Sequence, residues 1–136
     1  MPKATSIYDV QSNIRALPSM SMLLPDDYAE KDGWADIVAD KTKINSTQLR
    51  KVFQAIKDLK REFKKNDFNR AKVALLMPSL AYANGRGHLP EELYNLLCLC
   101  FGQDKCKTLA DFNSAADFLE AILAYYKYHH PQKQEG

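Results

Sequence analysis

Basic side chains recur along one edge of a stretch, residues 46–65, that is predicted to form a single α-helix. Arg50, Lys57, Arg61 and Lys64 fall within a sector roughly 80° wide, because an α-helix advances about 100° per residue. Ammonium and guanidinium groups in such a row can neutralise successive phosphates of a polyanion. Like charges four residues apart repel each other, which favours an anionic partner opposite them. We interpret this edge as a candidate surface for nucleic acid.

The element that must position these cations is amphipathic. Its apolar face is formed at the three- and four-residue steps of a helix by Leu49, Val52, Phe53, Ile56, Leu59 and Phe63. With a rise of 1.5 Å per residue, Arg50 and Lys64 lie about 20 Å apart along the axis, enough to follow several phosphates. A lysine-rich helix can also be an ordinary solvated face. The distribution of charge along the chain favours the nucleic-acid surface.

The net charge of +2 conceals a strong asymmetry. Residues 41–86 contain twelve Lys and Arg against three Asp and Glu, a local charge of +9. Residues 1–40 carry −4 and residues 87–136 carry −3. A basic block within an otherwise acidic chain is typical of proteins that contact nucleic acid or another polyanion.

The predicted fold is all-α: a compact bundle of about five helices with an irregular N-terminal extension. Alternating strand patterns are almost absent, and 136 residues suit a single domain. We predict a mostly irregular extension at 1–32 with a short helical piece near Tyr8–Leu17, a helical domain at 33–130, and a tail at 131–136. The predicted helices are about 34–41, 46–65, 67–84 with a break near Pro78, 90–101 and 108–129.

Two further segments could contact RNA. The turn at residues 80–87 places Tyr82 and Arg86 on one helix end, where a ring and a guanidinium could meet a base or phosphate. Gly85, in a left-handed conformation, and Arg86 could equally serve as a helix C-cap. Residues 124–130 mix tyrosines, Lys127 and two histidines. That mixture suits stacking, but is also ordinary for the end of an amphipathic helix.

Catalytic and metal-binding chemistry are not indicated. Cys98, Cys100 and Cys106 lack the spacing of a zinc site and are predicted to be buried structural thiols. No P-loop, dinucleotide fingerprint or nucleophile elbow occurs in the sequence. We therefore predict a protein that is not an enzyme and needs no metal or cofactor. Neither a secretory signal nor a membrane span is visible, so we expect a cytoplasmic protein.

Three segments carry a family resemblance in their order and spacing. They are Thr47-Gln48-Leu49-Arg50-Lys51, Leu80-Ala81-Tyr82-Ala83-Asn84-Gly85-Arg86, and Phe118 followed by Ala124-Tyr125-Tyr126-Lys127-Tyr128-His129. Over roughly residues 34–130 the chain resembles the small subunit of type III-A (Csm) CRISPR effector complexes. The small subunit of type III-D complexes is a related alternative. Residues 1–32 have no counterpart in the resemblance.

The resemblance implies a non-catalytic helical subunit of an interference complex. Its partners would be crRNA and target RNA, other subunits of the complex, and further copies of itself, with no membrane. It would hold the crRNA–target RNA duplex without sequence specificity and help assemble the filament. The matching positions are Arg50, Lys51, Tyr82, Arg86 and Lys127; Lys57, Arg61 and Lys64 come from the helical wheel alone. The alternative is a helical adaptor whose basic helix docks on an acidic protein.

Overall fold

The computed structural model describes residues 4–131, which form an all-α protein with no strand in that range. The predicted fold class is confirmed, with the chain divided into more helical segments than the five expected. The helices are α1 Ile7–Arg15, α2 Pro25–Tyr28, α3 Trp34–Lys41, α4 Ser46–Lys65, α5 Arg70–Ala74, α6 Met77–Gly85, α7 Glu91–Phe101 and α8 Leu109–His129, with a 3-10 turn at Met20–Met22.

Two long antiparallel helices, α4 and α8, form the centre of the molecule, and α3 packs on the other side of α8. The Phe63 ring, near the end of α4, meets Phe112, near the start of α8, with ring centroids 5.2 Å apart. At the opposite end, the Tyr126 hydroxyl of α8 donates to the carbonyl of Ile44, just before α4. The apolar face predicted for α4 is therefore buried against α8, where burial of each large side chain stabilises the fold by about 1.5–3 kcal/mol.

The N-terminal segment is more ordered than predicted. The short helix expected near Tyr8–Leu17 is present as α1, which packs on α7, and the 3-10 turn packs on α8. Met20 and Leu23 of this segment are buried, whereas Met22 and Leu24 are exposed. The prediction of a mostly irregular segment was wrong because apolar residues of this segment pack against helices that lie far away in the sequence. The division into domains at residue 32 stays a prediction.

A buried carboxylate connects this N-terminal segment to the start of α8. Asp111 accepts backbone hydrogen bonds from Lys107 at 2.9 Å, Thr108 at 3.2 Å and Ser21 at 2.9 Å. Burial alone would raise the pKa of Asp111, but these N–H donors hold its pKa below the usual value. Beside it, the Lys105 ammonium donates to the carbonyl of Leu17 at 2.7 Å. Residues 15–22 and 102–111 are thus joined by polar contacts.

The observed turns and helix ends agree only in part with those predicted from the sequence. The break expected before Pro78 is confirmed between α5 and α6. Helix α5 begins at Arg70, later than the predicted start at residue 67, and the Asn69 side chain caps it by accepting from the N–H of Ala71. The left-handed conformation expected at Gly85 is adopted instead by Gly87, with φ 78°, since Gly85 completes α6.

Candidate nucleic-acid interface

The candidate interface begins with the long helix α4, whose ends are set by local chemistry. The Asn45 side chain caps it by accepting from the N–H of Gln48 at 2.8 Å, and Lys64 and Lys65 occupy the last turn, where the helix dipole favours cations. These features reproduce the predicted bounds. The helix therefore presents its basic residues as a rigid row.

The row borders a depression between α4 and α8, which we call the α4–α8 groove. Phe53, Ile56 and Ala116 line its apolar part. Its charged wall is formed by Lys57, Lys60, Arg61 and Lys64 of α4, and α8 contributes the single acidic group, Glu120. The sequence wheel grouped Lys57, Arg61 and Lys64 correctly. It missed Lys60, Phe53 and Glu120 as members of the site, because only the packing of α8 brings them there.

Two of these cations are paired within the fold. Lys60 contacts Asp117 of α8 at 2.8 Å, and Arg61 contacts Asp58, three residues earlier, at 3.1 Å. These pairs relieve part of the like-charge repulsion inferred from the sequence. Lys60 is half-buried and the other three side chains are exposed; pairs at the surface of this kind contribute only about 0–1 kcal/mol. A phosphate could therefore compete for either cation at low cost.

Lys57 and Lys64 differ from those two. Within residues 4–131 neither makes an ion pair, and both are exposed. The Lys57 ammonium instead lies over the Phe53 ring, 5.9 Å from the ring centroid, near the outer limit of a cation–π contact. These two lysines are the cations of the groove that are most available to an external anion.

The family-derived residues of α4 and α8, Arg50, Lys51 and Lys127, do not line this groove. Arg50 is half-buried and already makes a contact within the fold, on the same edge of α4 as Lys57. Lys51 is exposed but lies about 100° around the helix from Arg50. Lys127 follows Glu120 by seven residues, so both are on one edge of α8. Because the helices are antiparallel, Lys127 lies at the Arg50 end of the groove.

Tyr82 and Arg86 form a separate exposed unit on α6, which packs on α7 rather than forming part of the groove. Arg86 Nη1 donates to the Tyr82 hydroxyl at 2.8 Å, and its guanidinium carbon lies 5.6 Å from the ring centroid. Tyr82 is 65% exposed. The structure therefore brings the predicted ring and guanidinium together at the surface.

The aromatic end of α8 is more structural than the sequence indicated. The Tyr125 hydroxyl donates to the carbonyl of Ala29 at 2.8 Å, and Tyr126 is buried, as predicted. His129 contacts Asp36 of α3 and lies 3.8 Å from Asp40. The packing of α3 on α8 brings these acids to His129, which the sequence pattern of α8 alone does not indicate.

The cysteines form no evident site. All three are free thiols; Cys100 and Cys106 are buried and Cys98 is half-buried. Burial raises the pKa of the Cys100 thiol and raises that of Cys106 to about 11, so both are poor nucleophiles near neutral pH. In the described part of the chain, no group of three or more His, Cys, Asp or Glu is arranged to hold a metal ion. No helix between residues 4 and 131 is long and apolar enough to cross a membrane.

A family model described as Csm2 Type III-A matches residues 21–132, most of the chain. The chain belongs to this family. No curated protein and no solved structure matches it. The family match confirms the resemblance to the type III-A small subunit and supports it over the type III-D alternative.

Membership of the Csm2 family makes this chain a small subunit of a type III-A CRISPR complex, with other subunits of that complex as its partners. Csm2 proteins are structural and generally non-catalytic. The Csm2 match begins at residue 21, so residues 21–32, which have no counterpart in the resemblance over residues 34–130, also belong to the family region. It therefore includes Leu23 and Tyr28, which pack in the same core as the rest of the match.

Proposed function

We propose that this Csm2 subunit holds the sugar-phosphate backbone of the crRNA–target RNA duplex, or of the target RNA, without sequence specificity. The observation that carries the proposal is the row of cations on one edge of α4, where Lys57 and Lys64 make no ion pair within residues 4–131. Arg50 and Arg61 lie on the same edge of α4, and Lys127 of α8 lies near the Arg50 end of the groove. Lys51 lies off it and would contact a different part of the assembly.

The chemistry of the row favours the backbone over base edges. Lysine ammonium groups act as mobile point charges, which attract phosphate without reading a base sequence. An A-form duplex presents phosphates and ribose hydroxyls on its surface, whereas its narrow major groove hides most base edges. The rigid helix α4 therefore suits contact with several consecutive phosphates. Assembly with further copies of the subunit and a cytoplasmic location belong to the same proposal.

Salt dependence tests the proposal. Contact with about four phosphates predicts that, between about 50 and 200 mM salt, RNA affinity falls roughly 50-fold for a single strand and roughly 150-fold for a duplex, because each contact releases bound counterions. We would measure fluorescence anisotropy of a labelled RNA duplex and of single-stranded RNA with the full-length protein. A competitor of polyglutamate tests the alternative, a helical adaptor that docks on an acidic protein. Tighter binding of polyglutamate than of RNA would favour the adaptor.

Arg86 on α6 gives a smaller, separate prediction. Replacing Arg86 by Gln should weaken RNA binding about two- to five-fold and reduce the salt slope by about one unit, because one phosphate contact is lost. The change is measured in the same anisotropy titrations. Tyr82→Phe is the control, since it removes the hydroxyl that accepts from Arg86 but leaves the ring and the charge. An unchanged salt slope in Arg86→Gln would exclude Arg86 from the interface.

A further inference from the structure

The α4–α8 groove is a concave site rather than a flat row of charges. Its volume is about 160 Å³. An apolar cavity of about 150 Å³ in another protein holds one benzene molecule, so the groove has room for one aromatic ring. A duplex backbone needs only exposed cations and would leave this apolar space unfilled. Ile56 and Ala116 are buried in the core between α4 and α8, whereas Phe53 is only partly buried and is the apolar group of the groove that a ligand could reach.

The orientation of Phe53 suggests what the space could hold. The ring is only partly buried against the core, and the Lys57 ammonium lies over it rather than beside it. A face of the ring is therefore directed to the opening of the groove. At 5.9 Å from the centroid the ammonium is weakly held, and its flexible stem lets it move outward. A flat apolar group could then stack on Phe53 while the lysine stays close to it.

The charges on the two sides of the groove favour one orientation of a bound ligand. Lys57, Arg61 and Lys64 attract an anion on the α4 side, whereas Glu120 on the α8 side repels one. A ligand that suits this arrangement has a phosphate at one end and a neutral flat ring at the other. An unpaired nucleotide has both parts, and stacking of a base on an aromatic side chain is tolerant of sequence.

We propose that the α4–α8 groove binds one unpaired nucleotide of RNA, with its base on Phe53 and its phosphate beside Lys57 and Lys64. This inference rests on the proposed function and specifies its ligand: single-stranded RNA, or an RNA with an unpaired position, rather than a continuous duplex. A paired base is stacked between its neighbours and cannot reach the ring. The subunit should therefore bind a single strand more tightly than a blunt duplex of equal length.

Three probes separate stacking from backbone contact: a labelled oligouridylate of about 12 nucleotides, a blunt duplex of that length, and an abasic sugar-phosphate strand of that length. We expect the full-length protein to bind the oligouridylate most tightly. Phe53→Leu keeps apolar volume against the core but removes the ring. It should weaken oligouridylate binding about five-fold or more, because base–aromatic stacking is lost, and leave the other two probes within about two-fold.

Phe68→Leu is the matched control. Phe68 is also a partly buried phenylalanine, packed on Phe63 with ring centroids 5.0 Å apart, but it does not line the groove. This variant should bind all three probes like the parent protein. Circular dichroism and thermal unfolding of both variants would show whether the fold is retained.

The results that overturn the inference differ from those that overturn the proposed function. The base site is excluded if the parent protein binds the abasic strand as tightly as oligouridylate, if Phe53→Leu alters all probes equally or none, or if no single strand binds. Suppose that one of these results is found, but that the double variant Lys57→Glu with Lys64→Glu loses duplex binding. The backbone-binding function is then retained, and only the base site is excluded. If those charge reversals change nothing for any probe, both proposals fail.

Discussion

Reversing the charges of Lys57 and Lys64 together should weaken RNA binding roughly 10- to 100-fold at low salt, because two attractive phosphate contacts become repulsive. The two lysines are the strongest test of the interface, since within residues 4–131 neither is held by an ion pair. New glutamates at these positions would lie beside Lys60 and Arg61 and could pair with them. The fold should therefore tolerate the double change. Anisotropy titrations at several salt concentrations measure the effect.

A double reversal elsewhere controls for total charge. Lys31→Glu with Lys41→Glu changes the net charge by the same amount, and both lysines line a cleft beside α3, away from the α4–α8 groove. We expect this variant to retain RNA binding within about three-fold, since only long-range charge is altered. Equal losses in the two double variants would mean that RNA senses overall charge and that the groove is not its site.

Removing the Asp111 carboxylate should lower the free energy of unfolding by about 3 kcal/mol, the largest stability effect that we expect from a single polar residue. Asp111→Ala leaves the N–H groups of Lys107, Thr108 and Ser21 without their acceptor. A lost hydrogen bond to a charged group costs about 1.5–3 kcal/mol, and water replaces some of these partners. Urea unfolding followed by circular dichroism measures the change. Asp104→Ala, at an exposed site, should be nearly neutral.

The pH dependence of stability provides a second measurement of Asp111. Its pKa is lowered in the folded protein, so its contribution is present above the unfolded-state pKa of about 3.9 and is lost as the pH falls through the lower folded value. The pKa of Asp36 is also lowered: burial raises it, but hydrogen bonds from the Asp32 backbone and the His129 side chain lower it by more. The parent protein should lose stability on acidification below about pH 4. Asp111→Ala should lose less; an unchanged profile would contradict this role.

Strong local signals in the sequence predicted the central helices well. The predicted bounds of α3 and α4 agree with the structure, and α8 begins after Thr108, because apolar periodicity and capping side chains act within a few residues. The N-terminal segment was misjudged for the opposite reason. Helix α1 has local signals, such as the Ser6 N-cap, and was expected, but Met20 and Leu23 become buried through contacts with residues far away in the chain.

The residues of the candidate site also fall into two groups: those that the sequence places together and those that only tertiary packing brings together. The angular spacing of Lys57, Arg61 and Lys64 on one helix was enough to place them together. Membership of Phe53 and Glu120 in a common groove depends on the antiparallel packing of α4 and α8, which helical periodicity does not specify. His129 beside Asp36 shows the same limit, because the two residues are 93 positions apart.

The packing of the first third of the chain has a consequence for its biosynthesis. Helix α1 packs on α7, and both the Met20–Met22 turn and α3 pack on α8. A ribosome releases the N-terminal residues first, so the buried faces of these early elements must wait until the last helix emerges. Contacts between residues so far apart also require closure of long loops before they stabilise anything. The nascent chain therefore completes this part of its core only after α8 has emerged from the ribosome, and until then the apolar residues of its N-terminal segment are accessible to chaperones.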